Sequence, residues 1–167
     1  MSSFFIPGPQ DDGDPVTGHY YEVASSDPDR AQAWCYTDRL SYAPGEVLRL
    51  HAMGKGPARL TVLRDGLAPR VMAQHDLALS FAETPEQCSV TGCGWPEVLA
   101  LTLPSDWPSG VYLLRLTVEG HQSEHMFVLR GVSDLTLILA TGTWCAYNDW
   151  GGSNHYQGIT GPHGVEF

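Results

Sequence analysis

The chain has 167 residues, enough for one full domain and a short additional segment. Its 43% hydrophobic and 17% charged content is typical of a globular protein. Its net charge of −10, from 9 basic and 19 acidic side chains, argues against a nucleic-acid partner, because phosphate binding needs a Lys/Arg surface. No apolar run approaches the roughly 20 residues that span a bilayer. The N-terminus also lacks the charged start of a signal peptide, so a cytoplasmic location is expected.

The first residues predict little regular structure. Residues 1–18 are rich in Pro, Gly and Asp, and we expect a flexible leader there. The next segment, "HYYEVASS" at 19–26, contains β-forming residues and is a candidate first strand.

Strand patterns dominate from residue 33 onward. "AWCYTDRLSYAPGEVLRLHAMG" predicts a strand, a turn and a second strand. Pro44-Gly45 suits the centre of a type II turn, where glycine accepts a positive φ. "ARLTVLRDG" predicts a strand that ends at the turn dipeptide Asp65-Gly66, and "RVMAQHDLALSFA" predicts the next one.

The pattern continues after an irregular loop at 84–97. "EVLALTLP" alternates along a strand, and a hairpin is predicted with strands at 111–118 and 124–130 and a turn at 119–122. Short strands separated by turn signals, with almost no helical periodicity, indicate an immunoglobulin-like antiparallel β-sandwich. We assign residues 19–131 to this domain.

A different pattern begins after Gly131. Leu135, Leu137, Ile138, Leu139 and Ala140 leave almost no polar face, which is typical of a parallel strand buried on both sides. No amphipathic helix follows that could cover such a strand, so we expect the cover to come from chain that is absent here or from another subunit. The alternative is a last sandwich strand with an irregular pattern. Residues 132–167 are accordingly interpreted as the start of an incomplete α/β domain.

The segment "TGTWCAYNDWGGSNHY" at 141–156 carries the candidate site residues. It follows the carboxyl end of the expected strand, where open α/β sheets bind ligands. Tyr147 could serve a site or pack a domain interface, and packing is favoured for Trp144 and Trp150. Asn148 could bind substrate, although capping a turn is the expected role. Cys145 is expected to be a buried thiol rather than a nucleophile.

The remaining cysteines and histidines do not form a recognisable metal motif. Cys88 and Cys93 could form a disulfide if oxidised, but no second ligand pair indicates zinc. His121 and His125 have the H-x-x-x-H spacing, which on a helix places both rings on one face. Because the spacing is predicted to straddle a hairpin turn, the two imidazoles are not expected to converge.

Four blocks of the sequence resemble one enzyme family. "YTDRLSYAPGEVLRLHA", "DWPSGVYLLRL", "FVLRG" and "LILATGTWCAYNDWGGSNHY" follow one another much as in the large (beta) subunit of N,N-dimethylformamidase and its relatives. The resemblance covers about residues 34–156, and its last block is the most specific. It implies a β-sandwich that precedes an α/β domain similar to glutamine amidotransferases, of which this chain would hold the first strand and loop.

The resemblance also implies an activity. Family members hydrolyse small amides to an amine and a carboxylate, with a mononuclear iron held by two Tyr phenolates and a Glu. On that basis Tyr147 is the first candidate iron ligand and Tyr156 the second, and Asn148 and Trp144 are candidate substrate contacts. The other ligands would lie beyond Phe167, so this chain alone is expected to be catalytically incomplete and to bind no iron tightly. The implied partner is a downstream α/β domain or a second subunit.

A function from a different class remains open. The chain could be a non-catalytic β-sandwich that binds a protein or carbohydrate partner through its aromatic tail. Protection of residues 135–140 from hydrogen exchange in the isolated chain would favour this alternative.

Overall fold

A computed structural model of the chain describes residues 23–132, 134, 136–148 and 150–151. These residues divide between two compact units. One unit comprises the described residues within 25–83 and 95–135, and the other those within 1–24, 84–94 and 136–167. Within the described part, no helix is long and apolar enough to cross a membrane.

The first unit is built from two β-sheets. Its eight described strands are β1 Ala33–Thr37, β2 Ser41–Tyr42, β3 Val47–Gly54, β4 Gly56–Arg64, β5 Arg70–Leu79, β6 Glu97–Thr102, β7 Gly110–Val118 and β8 His121–Leu129. One sheet has the order β1-β3-β6 and the other the order β2-β8-β7-β4-β5. All described pairs are antiparallel except the two-residue pairing of β2 with β8. The prediction of a mainly antiparallel β fold is confirmed, while the immunoglobulin-like classification stays a prediction.

One hydrophobic core joins the two sheets. Alternate residues of each strand point into it, as the period of two along a strand requires. On β3 these are Leu48, Leu50 and Ala52, and β7 contributes Leu114 and Leu116 in the same way. Burying such a Leu side chain stabilises the fold by about 1.5–3 kcal/mol relative to leaving it exposed. The inner face of these two strands is therefore the one that carries alternating apolar side chains.

The predicted turn between β2 and β3 is present. Gly45 has φ 84°, and the Glu46 amide donates to the Ala43 carbonyl at 3.1 Å, which closes a four-residue turn around Pro44 and Gly45. The Gly45 amide donates to Leu103 O at 2.8 Å, so the turn is also tied to the segment that follows β6.

Strand β8 begins earlier than expected. The turn occupies Glu119 and Gly120, and β8 already starts at His121. His121 and His125 therefore lie on one strand rather than across a turn, which corrects the predicted placement. Four residues apart on the same face, they are separated by roughly 13 Å at about 3.3 Å per residue. The two rings are therefore kept apart by the distance along one strand and not, as predicted, by a hairpin turn between them.

Both histidines contact β1, which lies beside β8. The Ala33 amide donates to His121 Nδ1 at 3.1 Å, and Thr37 Oγ1 lies 2.9 Å from His125 Nε2. Between these contacts the thiol of the half-buried Cys35 faces Ser123. Alternate residues of the two strands thus form a polar seam where β1, an edge strand of the three-stranded sheet, meets β8 of the other sheet.

The strand expected at 135–140 is absent from its described residues, 136–140. Residues 136–140 have no regular secondary structure, and Leu137 and Ile138 are 82% and 88% exposed. A strand needs a hydrogen-bonded neighbour, and none of the strand pairings among the described residues includes this segment. The prediction was therefore wrong for 136–140, while Leu135 lies outside the described residues. The candidate first strand at 19–26 is also not seen: residues 23–26 form no strand, and residues 19–22 lie outside the described residues.

The described part of the second unit holds two short helices, α1 Cys88–Thr91 and α2 Thr141–Tyr147. Helix α1 interrupts the loop that was predicted to be irregular. All four cysteines are free, with Cys88 buried and Cys145 exposed. The domain boundaries at residues 18 and 131 stay predictions.

Candidate functional site

Helix α2 carries the first-choice site residue. The sequence predicted a loop here, because the segment follows the carboxyl end of the expected strand. "TGTWCAY" contains two Thr and a Gly and has no acidic residue in its first turn, which does not favour a helix. The Trp144 amide nevertheless donates to Ala140 O at 3.1 Å and begins the helix. Ala140 provides no side-chain cap, and Asn148 returns to an extended conformation with φ −73° and ψ 112°. The result is a single short helix that ends where the candidate residues cluster.

Tyr147 is the last residue of this helix and is 60% exposed. Trp144 precedes it by three residues, which places both rings on the same side of the helix, and it is 46% exposed. No residue of α2 is buried. The phenol of Tyr147 and the indole of Trp144 are therefore partly exposed and are not packed into a core.

Asn148 has the capping role that was expected. The Trp150 amide donates to Asn148 Oδ1 at 3.3 Å, which is the hydrogen bond of an Asx turn. Gly151 follows with φ 88°, a conformation that favours glycine. Because the carbonyl end of the Asn148 amide is engaged in the turn, its NH₂ end is held in a defined direction as a donor.

Cys145 is exposed in the middle of the helix, so the expectation of a buried thiol was wrong. The short helix has no buried face, and its thiol therefore has no core to enter. A cysteine nucleophile needs a neighbouring base. No described contact supplies one, and the structure gives Cys145 no catalytic role.

The described residues supply few candidate metal ligands. No group of three or more His, Cys, Asp or Glu side chains in the described part could hold a metal ion. Tyr147 offers one phenol oxygen, and mononuclear iron needs several ligands. The second-choice ligand Tyr156 lies outside the described residues, as do His155 and Glu166.

An aromatic cluster on the outer face of the three-stranded sheet was not anticipated. Tyr36 on β1 and His51 on β3 are cross-strand partners, and their rings stack with centroids 5.1 Å apart and planes 5° apart. His51 Nδ1 lies 2.9 Å from Trp95 O, and the Trp95 ring is 5.6 Å from that of Tyr36. The sequence indicated that Tyr36 and His51 face outward, because both occupy polar-face positions of alternating strands. Recognising the cluster required the register between β1 and β3.

The comparison with family models gives one match. Residues 48–166 match the model described as N,N-dimethylformamidase beta subunit-like, C-terminal. The matched span begins in β3 and includes helix α2. No curated protein matches the chain.

Several solved structures show weak likenesses. The sporulation control protein Spo0M from Bacillus subtilis has 14% identity and a TM-score of 0.38, over 60% of this chain and 49% of that one. A mutant beta-glucosidase from Listeria innocua in complex with laminaribiose has 13% identity and a TM-score of 0.34, over 59% of this chain and 16% of that one. The chain thus spans about half of the first protein (49%) and about one sixth of the second (16%). Likenesses of this size carry no conclusion about function.

Proposed function

The chain belongs to the N,N-dimethylformamidase beta subunit-like family, and we propose that it forms part of an iron-dependent hydrolase of small amides. The family match confirms the resemblance read from the sequence. One observation carries the proposal: the span from 48 to 166 contains, in one continuous match, both the sandwich strands from β3 onward and the exposed Tyr147. The reaction would consume an amide and water and release an amine and a carboxylate.

Tyr147 is proposed as one iron ligand. A phenolate is a hard anionic oxygen donor of the kind that ferric iron favours. An iron bound there would polarise an amide carbonyl and lower the pKa of a bound water. The described residues offer a single donor, so the other ligands must come from elsewhere, and Tyr156 remains the second candidate. The 60% exposure of Tyr147 supports this role, because a ligand shared with other protein groups must be accessible to them.

Asn148 and Trp144 are proposed as substrate contacts. The Asx turn holds Asn148 through its Oδ1, and its NH₂ group could then donate to the carbonyl oxygen of an amide. Trp144 lies on the same side of α2 as Tyr147 and offers an apolar wall for the N-alkyl groups of a small amide. The three side chains would thus bind and orient substrate beside one metal ligand.

The proposed partner is an α/β domain or a second subunit that completes the site. Leu137 and Ile138 support this, because both are more than four-fifths exposed at 82% and 88%. Adjacent apolar side chains with such exposure indicate a surface that another protein layer covers. The chain alone is therefore proposed to be catalytically incomplete.

The test is iron binding and amide hydrolysis by the chain in the presence of its proposed α/β partner. Ferric phenolate coordination gives a visible charge-transfer band, and Tyr147→Phe should remove or shift it and abolish release of amine from dimethylformamide. Tyr36→Phe, which changes a phenol in the sandwich, is the matched control and should leave both readouts unchanged. Tyr156→Phe separates the two candidate ligands. Full activity and an unaltered band in Tyr147→Phe would contradict the assignment.

The alternative function, a sandwich that binds a protein or carbohydrate, finds support in the aromatic cluster of Tyr36, His51 and Trp95. Hydrogen exchange at residues 136–140 in the isolated chain discriminates between the two proposals. Rapid exchange is expected for the hydrolase part, because these residues have no regular secondary structure and mostly exposed side chains. Strong protection there would favour the binding module.

A further inference from the structure

Most basic side chains of this acidic protein are neutralised locally. Six of the nine form ion pairs with described carboxylates. They are Arg39, Arg49, Lys55, Arg59, Arg115 and Arg130. The other three, Arg30, Arg64 and Arg70, form no ion pair with any carboxylate in the described part of the chain. Two of them, Arg64 and Arg70, lie side by side.

These two arginines are neighbours in the five-stranded sheet. Arg64 at the end of β4 is the cross-strand partner of Arg70 at the start of β5, and on its other side it pairs with Tyr112 of β7. Cross-strand partners lie on the same face of a sheet. Like charges directly opposite each other destabilise a sheet, so a counter-charge between the two guanidinium groups would be favourable.

Arg64 is held in place by its contacts. Its Nη2 donates to Ser109 O at 3.1 Å, and its guanidinium lies against Gly110, where an added Cβ would be 3.5 Å from Nη2. Its Nε is buried and has no hydrogen-bond partner among the described residues. A half-buried cation without an anion carries a desolvation cost, and a bound oxyanion would offset it.

Aromatic side chains surround Arg64 at this end of the five-stranded sheet, a region called the Arg64 corner below. Tyr112 donates its hydroxyl to Pro108 O at 2.5 Å, and Trp107 stacks on the Tyr112 ring at 5.4 Å with planes 7° apart. Burial raises the pKa of Tyr112, while Arg64 and Arg70 both act to lower it, so both guanidinium groups lie near one phenol.

We propose that Arg64 and Arg70 bind a carboxylate group at this end of the five-stranded sheet. Two guanidinium forks match the two oxygens of a carboxylate. The carbonyl oxygens of Ser109 and Pro108 line the Arg64 corner, and they disfavour a dianion such as phosphate more than a singly charged acid. The carboxylate comes from a small organic acid or from an Asp or Glu side chain of a partner protein. The site does not depend on the hydrolase activity proposed above.

The experiment is an NMR titration of the chain with sodium acetate at constant ionic strength, with sodium chloride as the reference salt. Saturable shifts are expected in the amides of residues 109–112 and in the Trp107 indole. Arg70→Gln should weaken acetate binding about tenfold, because the variant loses a charge-assisted hydrogen bond to the carboxylate. Arg64→Gln should do the same. Arg59→Gln, on the same strand as Arg64 but paired with Asp76, is the matched control and should retain binding.

Three outcomes would overturn the proposal. Chloride could produce the same shifts as acetate, inorganic phosphate could bind more tightly than acetate, or Arg59→Gln could weaken binding as much as Arg70→Gln. Arg70 is exposed, so its variant keeps the test informative even if Arg64→Gln fails to fold. A second titration with a Glu-Gly repeat peptide separates the two sources. Binding more than about tenfold tighter than acetate assigns the carboxylate to a partner side chain, and equal binding per carboxylate assigns it to a small acid.

Discussion

The Thr37 hydroxyl and the His125 imidazole meet in the seam between β1 and β8, with Oγ1 and Nε2 2.9 Å apart. Thr37 donates its own proton to Arg39 O at 2.7 Å, so its oxygen must accept from Nε2, and the neutral ring carries its proton there. Protonation would add a second proton at Nδ1 and give the buried ring a positive charge. Burial accordingly lowers the pKa of His125 to about 4.

The first prediction is a loss of stability in weak acid. The unfolded chain binds a proton at the ordinary His pKa of 6.5, whereas the folded chain binds it only near 4. The stabilisation is therefore complete above pH 6.5 and is lost as the pH falls toward 4, by about 2 kcal/mol at pH 5. Urea unfolding at pH 7 and pH 5 measures this difference.

His125→Gln provides the control, because the amide can still donate to Thr37 but does not titrate in this range. Its free energy of unfolding should change less between pH 7 and pH 5 than that of the wild type. Some slope should remain, since burial also lowers the pKa of His121. Identical slopes in the two proteins would show that His125 does not cause the acid sensitivity.

The second prediction concerns the turn before β3. Gly45 has φ 84°, and a Cβ at this position would meet no neighbouring atom. Any cost of Gly45→Ala therefore comes from backbone conformation alone, at about 1–2 kcal/mol for an L-residue in the left-handed region. Gly66→Ala is the matched control, because Gly66 has equally open space and no positive φ. Thermal unfolding should show a loss for the first variant and almost none for the second.

The third prediction separates the core from the exposed apolar segment. Leu50 is fully buried between the sheets, so Leu50→Ala should cost about 2–5 kcal/mol. Leu137→Ala removes the same atoms from a side chain that is 82% exposed, and should change stability by less than about 0.5 kcal/mol. A large loss in Leu137→Ala, measured by urea unfolding, would indicate that residues 136–140 are packed in the isolated chain.

Local patterns in the sequence predicted the strands well because each strand has one buried and one solvated face. The alternation along β3 and the turn at Pro44-Gly45 are readable within a few residues. The strand prediction failed for residues 136–140 because an apolar run indicates only a preference for burial. Burial needs a second layer of protein, and no local pattern in the sequence shows whether that layer is present. The Arg64–Arg70 pairing was missed for a related reason: it depends on the register of two strands and on the irregularity between Val62 and Leu63.

The last prediction is an order of thiol reactivity. Alkylation proceeds through the thiolate and requires access to sulfur. Burial raises the pKa of Cys35 to about 12, and burial together with the neighbouring Cys88 thiol raises that of Cys93 to about 12. Cys145, exposed on helix α2, should therefore react with iodoacetamide first, and Cys35 only when the sandwich unfolds. Peptide mapping by mass spectrometry over time gives the order, and Cys145→Ser should remove the fast phase. Early labelling of Cys35 in the native protein would mean that the seam between β1 and β8 opens readily.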